Sequence, residues 1–395
     1  MAGTREAREV EAQGLAEPGA HREAMAYYRE CTLFTPLALR SVTTRNRVML
    51  SPMCQYSAHD GMANDWHFAH IGARAVGGVG IAMMEASAVE PRGRITAWDL
   101  GIWSDPHGEA LARIAAFALA QGALPGIQLA HAGRKASVMR PWEGRRPLEL
   151  GDGGWAIVAP SPLPYASRHQ VPHALEEGEI AEVVRAFAAG ARRAREAGFR
   201  VIEIHAAHGY LIHEFLSPLT NQRTDRYGGD FAGRARLLLE VVAAVRREWP
   251  ADLPLFVRIS GTDWIADRPS WTVDDSVRLA LLLGEGGVDV VDCSSGGLVA
   301  EQRMPVHPGY QVPIAERVKR EAGVRSAAVG LIAEPEVAEE IVSNGRADLV
   351  VLARALLDDP HWTLHAARKL RAKVSWPLQY ERASGVVDPR HAPRD

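Results

Sequence analysis

Phe199-Arg200-Val201-Ile202-Glu203-Ile204-His205-Ala206-Ala207-His208-Gly209-Tyr210 reads as one buried strand running into a cluster of ring side chains. Val201, Ile202 and Ile204 place apolar groups on both faces, as a strand covered on two sides requires. In a barrel of alternating strands and helices, the C-terminal strand ends and the loops that follow them build the active face. His205, His208 and Tyr210 would then point into one pocket.

Working outward, the same kind of apolar run recurs at Arg47 to Met53, Val79 to Val89, Leu124 to Ala130, Leu253 to Ser260, Val288 to Ser294, Arg325 to Leu331 and Ala347 to Ala353. Amphipathic stretches separate the runs: Phe68 to Val76, Glu109 to Gln121, Glu179 to Ala197, Ala232 to Trp249, Asp274 to Glu285, Val312 to Glu321 and Glu336 to Ser343, with His361 to Arg371 after the last. Gly77, Gly122, Gly198, Gly286, Gly323 and Gly345 are expected to close helices in the left-handed conformation. Eight strands each followed by a helix predict an α/β fold, a (β/α)8 TIM barrel. A doubly wound open sheet is the alternative, but no G-x-G-x-x-G follows the first run.

One connection breaks the rhythm. Gly133 to Gly178 carries Pro141, Trp142, Pro147, Trp155, Pro160, Pro162, Pro164 and Pro172 and is too long for an ordinary βα loop. It predicts a lid-like capping insertion over about 134–178, after the third strand. Residues 1–30, polar and interrupted by Gly14, Pro18 and Gly19, are expected to be a loosely ordered extension, 31–383 the barrel, and 384–395 a C-terminal tail.

The 395 residues, 47% hydrophobic and with a formal net charge of -3, offer no basic field for nucleic acid and imply a small-molecule partner. Neither a secretory signal nor a membrane span is visible, and Cys31, Cys54 and Cys293 form no CxxC pair. A soluble cytoplasmic protein is expected.

Several strand ends carry polar chemistry. Cys54 follows the first run in Ser51-Pro52-Met53-Cys54-Gln55-Tyr56 and reads either as a small buried hydrophobe or as a ligand-facing thiol. Glu85-Ala86-Ser87-Ala88 leaves room for a flat ligand, and Gln128 brings an inward amide ahead of the cationic tip Arg134-Lys135. Arg258, inside an apolar strand, must be paired or must meet an anion. Gly330 and Ala353-Arg354 end the last two strands, the usual phosphate cradle of such barrels. His205 and His208 could ligate a metal, although no H-x-H on the first strand and no carboxylate shell from Glu85, Asp289 and Asp292 completes such a site, and none is assigned.

From Leu33 to about Arg382 the chain resembles the Old Yellow Enzyme family of flavin-dependent ene-reductases, in particular the bacterial subgroup with a cysteine on the first strand. The resemblance rests on Ser51 to Tyr56, Gly93-Arg94-Ile95-Thr96, Gly101-Ile102-Trp103-Ser104-Asp105, Gln128 to Lys135, His205 to Pro218, Asn221 to Gly229 and Gln379-Tyr380-Glu381-Arg382. It implies non-covalent FMN held by Ser51, Pro52, Met53, Cys54, Ala86, Gln128, Arg258, Gly330, Ala353 and Arg354. It further implies NADPH or NADH as hydride donor, and an alkene conjugated to an electron-withdrawing group as acceptor. His205 and His208 would hold the substrate oxygen, Tyr210 would deliver the proton, Tyr56 would position the substrate, and Cys54 would tune the flavin. A homodimer or homotetramer is implied, with Arg382 entering a neighbouring subunit's site. A metal-dependent barrel hydrolase, another flavin barrel and a non-catalytic FMN or redox-sensing protein built around Cys54 are the rival readings.

Overall fold

The computed structural model describes residues 28–384. The eight apolar runs become the eight parallel strands of one closed barrel: β3 (Val48–Leu50), β4 (Ile81–Ala88), β5 (Leu124–Ala130), β8 (Val201–Ala206), β9 (Leu255–Ser260), β10 (Val290–Ser294), β11 (Arg325–Ala328) and β12 (Leu349–Leu352). Pairing of Val350 with Val48 closes the ring. The remaining strands lie outside it: β1 (Leu37–Leu39) and β2 (Val42–Thr44) form an antiparallel hairpin, and β6 (Val158–Ala159) pairs β7 (His173–Ala174) within the long insertion.

The helices fall where the amphipathic stretches predict: α1 (Asp65–Val76), α2 (Asp105–Ala120), α3 (Glu177–Glu196), α5 (Phe231–Glu248), α6 (Val273–Glu285), α7 (Val312–Ala322), α8 (Pro335–Ser343) and α10 (Trp362–Leu370). Helix α3 shows why: Ile180, Val183, Phe187, Ala191 and Ala194 recur every three or four residues and are all buried. Helix α6 starts at a capping box in which Thr272 Oγ1 accepts the Asp275 N–H and Asp275 Oδ2 the Thr272 N–H. Three short helices have no counterpart in the sequence reading: α4 (Leu211–Leu216), α9 (Arg354–Asp358) and α11 (Glu381–Ser384).

Two expected caps need correction. Gly77 and Gly286 are right-handed (φ -68° and -74°), and the second glycine of each doublet, Gly78 (φ 103°) and Gly287 (φ 84°), makes the left-handed turn. Either glycine of a doublet satisfies the local sequence rule, and the geometry of strand entry selects between them. Residues 1–27 of the expected extension (1–30) and 385–395 of the expected tail (384–395) lie outside the described residues.

Alternation along the strands sorts the barrel interior into two layers. Near the strand starts Met49, Ile81, Met83, Leu124, Val201, Phe256, Val290, Ala327 and Leu349 pack with Leu37 and Leu39 of the hairpin, which plugs the lower end. Two residues further on, the same inward positions hold Ser51, Glu203, Arg258 and Asp292, joined by Gln128 four residues beyond Leu124, all buried. Apolar filling below and polar groups above place the reactive end at the C-terminal mouth.

Candidate active site

The polar layer holds two hydrogen-bonded pairs, with Asp292 as an ion-pair partner beside them. Gln128 and Glu203 are register partners, and Gln128 Nε2 donates to Glu203 Oε1 at 2.8 Å. Arg258 pairs in register with His205 on one side and Asp292 on the other. Its Nη1 donates to Ser51 Oγ at 2.9 Å, and its Nε lies 3.4 Å from Asp292 Oδ2. The charge in an apolar strand is thus paired, as its burial demands. Two buried carboxyls nevertheless face one guanidinium. Burial, then Asp292, raises Glu203 to about 8 against the pull of Arg258 and Gln128, and burial raises Asp292 too. Each of the two therefore holds its proton to higher pH than an exposed carboxyl does.

Above this layer the β8 motif opens. His205 Nδ1 accepts the Ala207 N–H at 3.2 Å, so its proton stands on Nε2. His208 Nδ1 lies 3.4 Å from that Nε2, and His208 Nε2 lies 2.7 Å from Ser294 Oγ. Burial, and next Arg258, hold both imidazoles well below their ordinary pKa, so both are neutral. His205 meets the edges of both His208 and Tyr210, with ring centroids 5.1 and 5.0 Å apart. The turn that gathers them uses two left-handed residues, His208 (φ 59°) and Gly209 (φ 72°). Ser260 Oγ receives the His208 N–H at 2.8 Å, and His213 Nδ1 receives the Gly209 N–H at 2.9 Å. Burial pushes the Tyr210 phenol further above its ordinary value, so it is protonated throughout the physiological range.

The loop after β3 lies opposite. A register shift between Met84 and Ala86 frees Glu85 from the ladder, and its Oε1 accepts the Gln55 N–H at 3.0 Å. That bond pins the segment carrying Cys54 and Tyr56. Burial and the nearby Asp99 and Glu85 raise the Cys54 thiol, so it rests as S–H. Tyr56 (φ 50°) meets Trp142 of the insertion edge to face at 5.9 Å. The insertion follows β5. Its Arg145, Tyr165 and His169 line a cavity of ≈ 270 Å³ together with Tyr56, Ile95, Thr96, Lys135 and Tyr210, among others.

Sequence reading passes over several contributors. Arg145, Tyr165 and His169 lie in an irregular loop with no periodicity to mark them, whereas Glu203 is legible as the inward position two before His205. Lys135, read as a cationic tip, turns inward: its Nζ donates to the carbonyls of His208 and Gly297 at 2.8 and 2.9 Å. Burial lowers it to about 8. Gly330 (φ 133°), Ala353 and Arg354 lie at the ends of β11 and β12, and Arg354 has no ion-pair partner among the described residues. Arg382 is not brought to this cleft. It is exposed in α11, whose Ala383 carbonyl accepts from Arg368 at 3.0 Å.

These residues fit FMN. The buried Arg258, with Nε unsatisfied, and Gln128 suit the polar edge of a flavin ring, and Arg354 suits a phosphate. Among the described residues no three His, Cys, Asp or Glu side chains are grouped to hold a metal ion, and no helix is long and apolar enough to cross a membrane.

Residues 32–373 match the family model described as the NADH:flavin oxidoreductase / NADH oxidase family. The chain is 49% identical over 355 residues to an NADPH dehydrogenase of Geobacillus sp. (strain WCH70), covering 89% of this chain and 98% of that one. To an NADPH dehydrogenase of Bacillus subtilis (strain 168) it is 47% identical over 352 residues, with 89% and 98% covered. Among solved structures, morphinone reductase in complex with tetrahydroNAD superposes with a TM-score of 0.71 at 26% identity, covering 88% of this chain and 93% of that one.

Proposed function

Because the chain belongs to the NADH:flavin oxidoreductase / NADH oxidase family and is an oxidoreductase using FMN and NAD(P)H, we propose that it is an ene-reductase of the Old Yellow Enzyme type. Its acceptors are the activated C=C bonds of enones, enals, maleimides or nitroalkenes. The observation that carries this reading is the convergence of two neutral imidazoles and a protonated phenol on one cleft above a buried arginine.

Bound FMN supplies a centre that takes hydride from NAD(P)H and passes it to carbon. The chain's own residues do the rest. His205 and His208 hold the carbonyl or nitro oxygen, and as fixed N–H donors they stabilise the negative charge that develops there. Tyr210 gives its proton to the α-carbon, on the face opposite the arriving hydride. Arg258 would offset negative charge on a reduced flavin ring bound there, and the raised Glu203 and Asp292 carboxyls hold their protons more readily than exposed ones, which limits the negative charge beneath it. Tyr56 and the insertion over 134–178 enclose the substrate. Ser51, Pro52, Met53, Cys54, Ala86, Gln128, Gly330, Ala353 and Arg354 complete the cofactor site. Arg382, exposed and away from its own cleft, is suited to reach a neighbouring subunit in a homodimer or homotetramer. A redox sensor built on Cys54 is disfavoured, because a thiol pushed upward by burial is a poor nucleophile.

Anaerobic reduction of the FMN-loaded protein with NADPH and with NADH, followed by mixing with cyclohexenone, a maleimide and a nitroalkene, tests the assignment. Rapid flavin reoxidation by these acceptors is expected. Reoxidation by oxygen but by none of the alkenes would refute it.

A further inference from the structure

We propose that Ser294 is a positioning residue that fixes the tautomer of His208 and thereby decides whether the cleft offers one N–H or two. The proposal rests on reading His205 and His208 as paired donors.

A neutral imidazole carries one N–H and one bare nitrogen, and the partner of one nitrogen dictates the state of the other. The Ala207 amide can only donate, so His205 holds its proton on Nε2. That nitrogen and His208 Nδ1 are the facing pair, 3.4 Å apart. If His208 were bare at Nδ1, it would absorb the His205 proton and leave no donor for a ligand. The separation exceeds the roughly 2.7–3.2 Å of an ordinary N–H hydrogen bond. It suits two N–H groups that both turn toward a third atom.

His208 carries its proton on Nδ1 only if Nε2 accepts, and the group facing Nε2 is Ser294 Oγ at 2.7 Å. A hydroxyl has one proton to place, and Ser294 has two acceptors in reach. The other is Gln311 Oε1, at 3.4 Å. That oxygen already receives Ser295 Oγ at 2.6 Å, and the amide orientation is fixed by Gln311 Nε2 donating to Val329 O at 3.1 Å. The nearer and unclaimed acceptor is His208 Nε2. Ser294 itself cannot drift: it ends β10 in register with Ser260, and its carbonyl accepts the Gly261 N–H at 2.8 Å. The chain Ser295, Gln311, Ser294, His208 therefore delivers a second N–H to the point where His205 aims the first.

The test is ¹⁵N NMR of histidine-labelled, FMN-loaded oxidised enzyme, with the His208 signals identified by their loss in His208→Ala. The parent should show His208 protonated at Nδ1. Ser294→Ala should move the proton toward Nε2 and slow reoxidation by cyclohexenone roughly tenfold to a hundredfold, the range of a weakened or lost oxyanion donor. FMN content and reduction by NADPH should stay unchanged, and Ser294→Thr, which keeps the hydroxyl, should restore tautomer and rate together. A parent His208 protonated at Nε2, or a Ser294→Ala variant with unaltered tautomer and rate, overturns the proposal. His208→Ala separates the two levels: if it reduces cyclohexenone at the parent rate, the paired-donor reading itself fails. If it is slow while Ser294→Ala is not, only the role of Ser294 fails.

Discussion

Replacing Gly209 by alanine should disable the cleft while leaving the barrel folded. Gly209 sits at φ 72°, where an added Cβ would stand 2.3 Å from the Gly297 carbonyl oxygen, whereas ordinary contact begins near 3.4 Å. The loops after β8 and β10 must part by about the difference, roughly 1 Å, which is the order of displacement that costs about a hundredfold in rate, or about 2.7 kcal/mol of barrier. Side-chain rearrangement cannot relieve the clash, because the obstacle is backbone and Lys135 Nζ ties the His208 and Gly297 carbonyls together. The left-handed conformation adds about 1–2 kcal/mol to the cost of folding. Gly198→Ala is the control: it has φ 88° and nothing within 4 Å of its added Cβ, so it carries the conformational cost alone. Anaerobic stopped-flow comparison should find both variants FMN-replete and similarly reducible by NADPH. Reoxidation by cyclohexenone should slow about a hundredfold in Gly209→Ala and remain at the parent rate in Gly198→Ala. Parent-like reoxidation in Gly209→Ala would show that this backbone interlock does not place His208 and Tyr210.

Tyr210→Phe keeps the ring against His205 but removes the proton. Flavin reduction should survive while reoxidation by a cyclic enone slows on the order of a hundredfold; an unchanged rate would mean that another acid serves. Cys54→Ala should bind FMN and turn over, with a shifted flavin potential and altered apparent substrate affinity; complete loss of activity with FMN retained would instead imply a nucleophilic thiol. Glu85, raised to about 8 by burial, holds a proton in the folded chain that the unfolded chain releases near its ordinary 4.5. Its contribution to stability is therefore full at low pH and declines across that window, by at most about 1.4 kcal/mol per pH unit. Glu85→Gln keeps an acceptor for the Gln55 N–H without titrating, so its melting temperature should fall less than the parent's between pH 5 and 8; parallel profiles would refute the assignment.

The order of strands and helices was legible because it is a local property. Apolar runs of strand length, amphipathic stretches at helical period and closing glycines all report on neighbours along the chain, and each of the eight runs contains a barrel strand. The residue types at the strand ends were legible too, since polar groups following apolar runs have few structural reasons to be there. What the tertiary structure alone decided is pairing across sequence distance. The β1–β2 hairpin became the barrel's plug only because the lower interior is apolar and otherwise open to solvent. Lys135, a cation at a loop tip in the sequence, turns inward because two carbonyls of loops far along the chain meet its ammonium. The tautomer of His208 depends on Ser294, 86 positions away, whose hydroxyl is unremarkable until β8 and β10 are brought to the same mouth. Proton placement and pKa follow from burial and from partners, and neither quantity exists in the chain until the barrel closes.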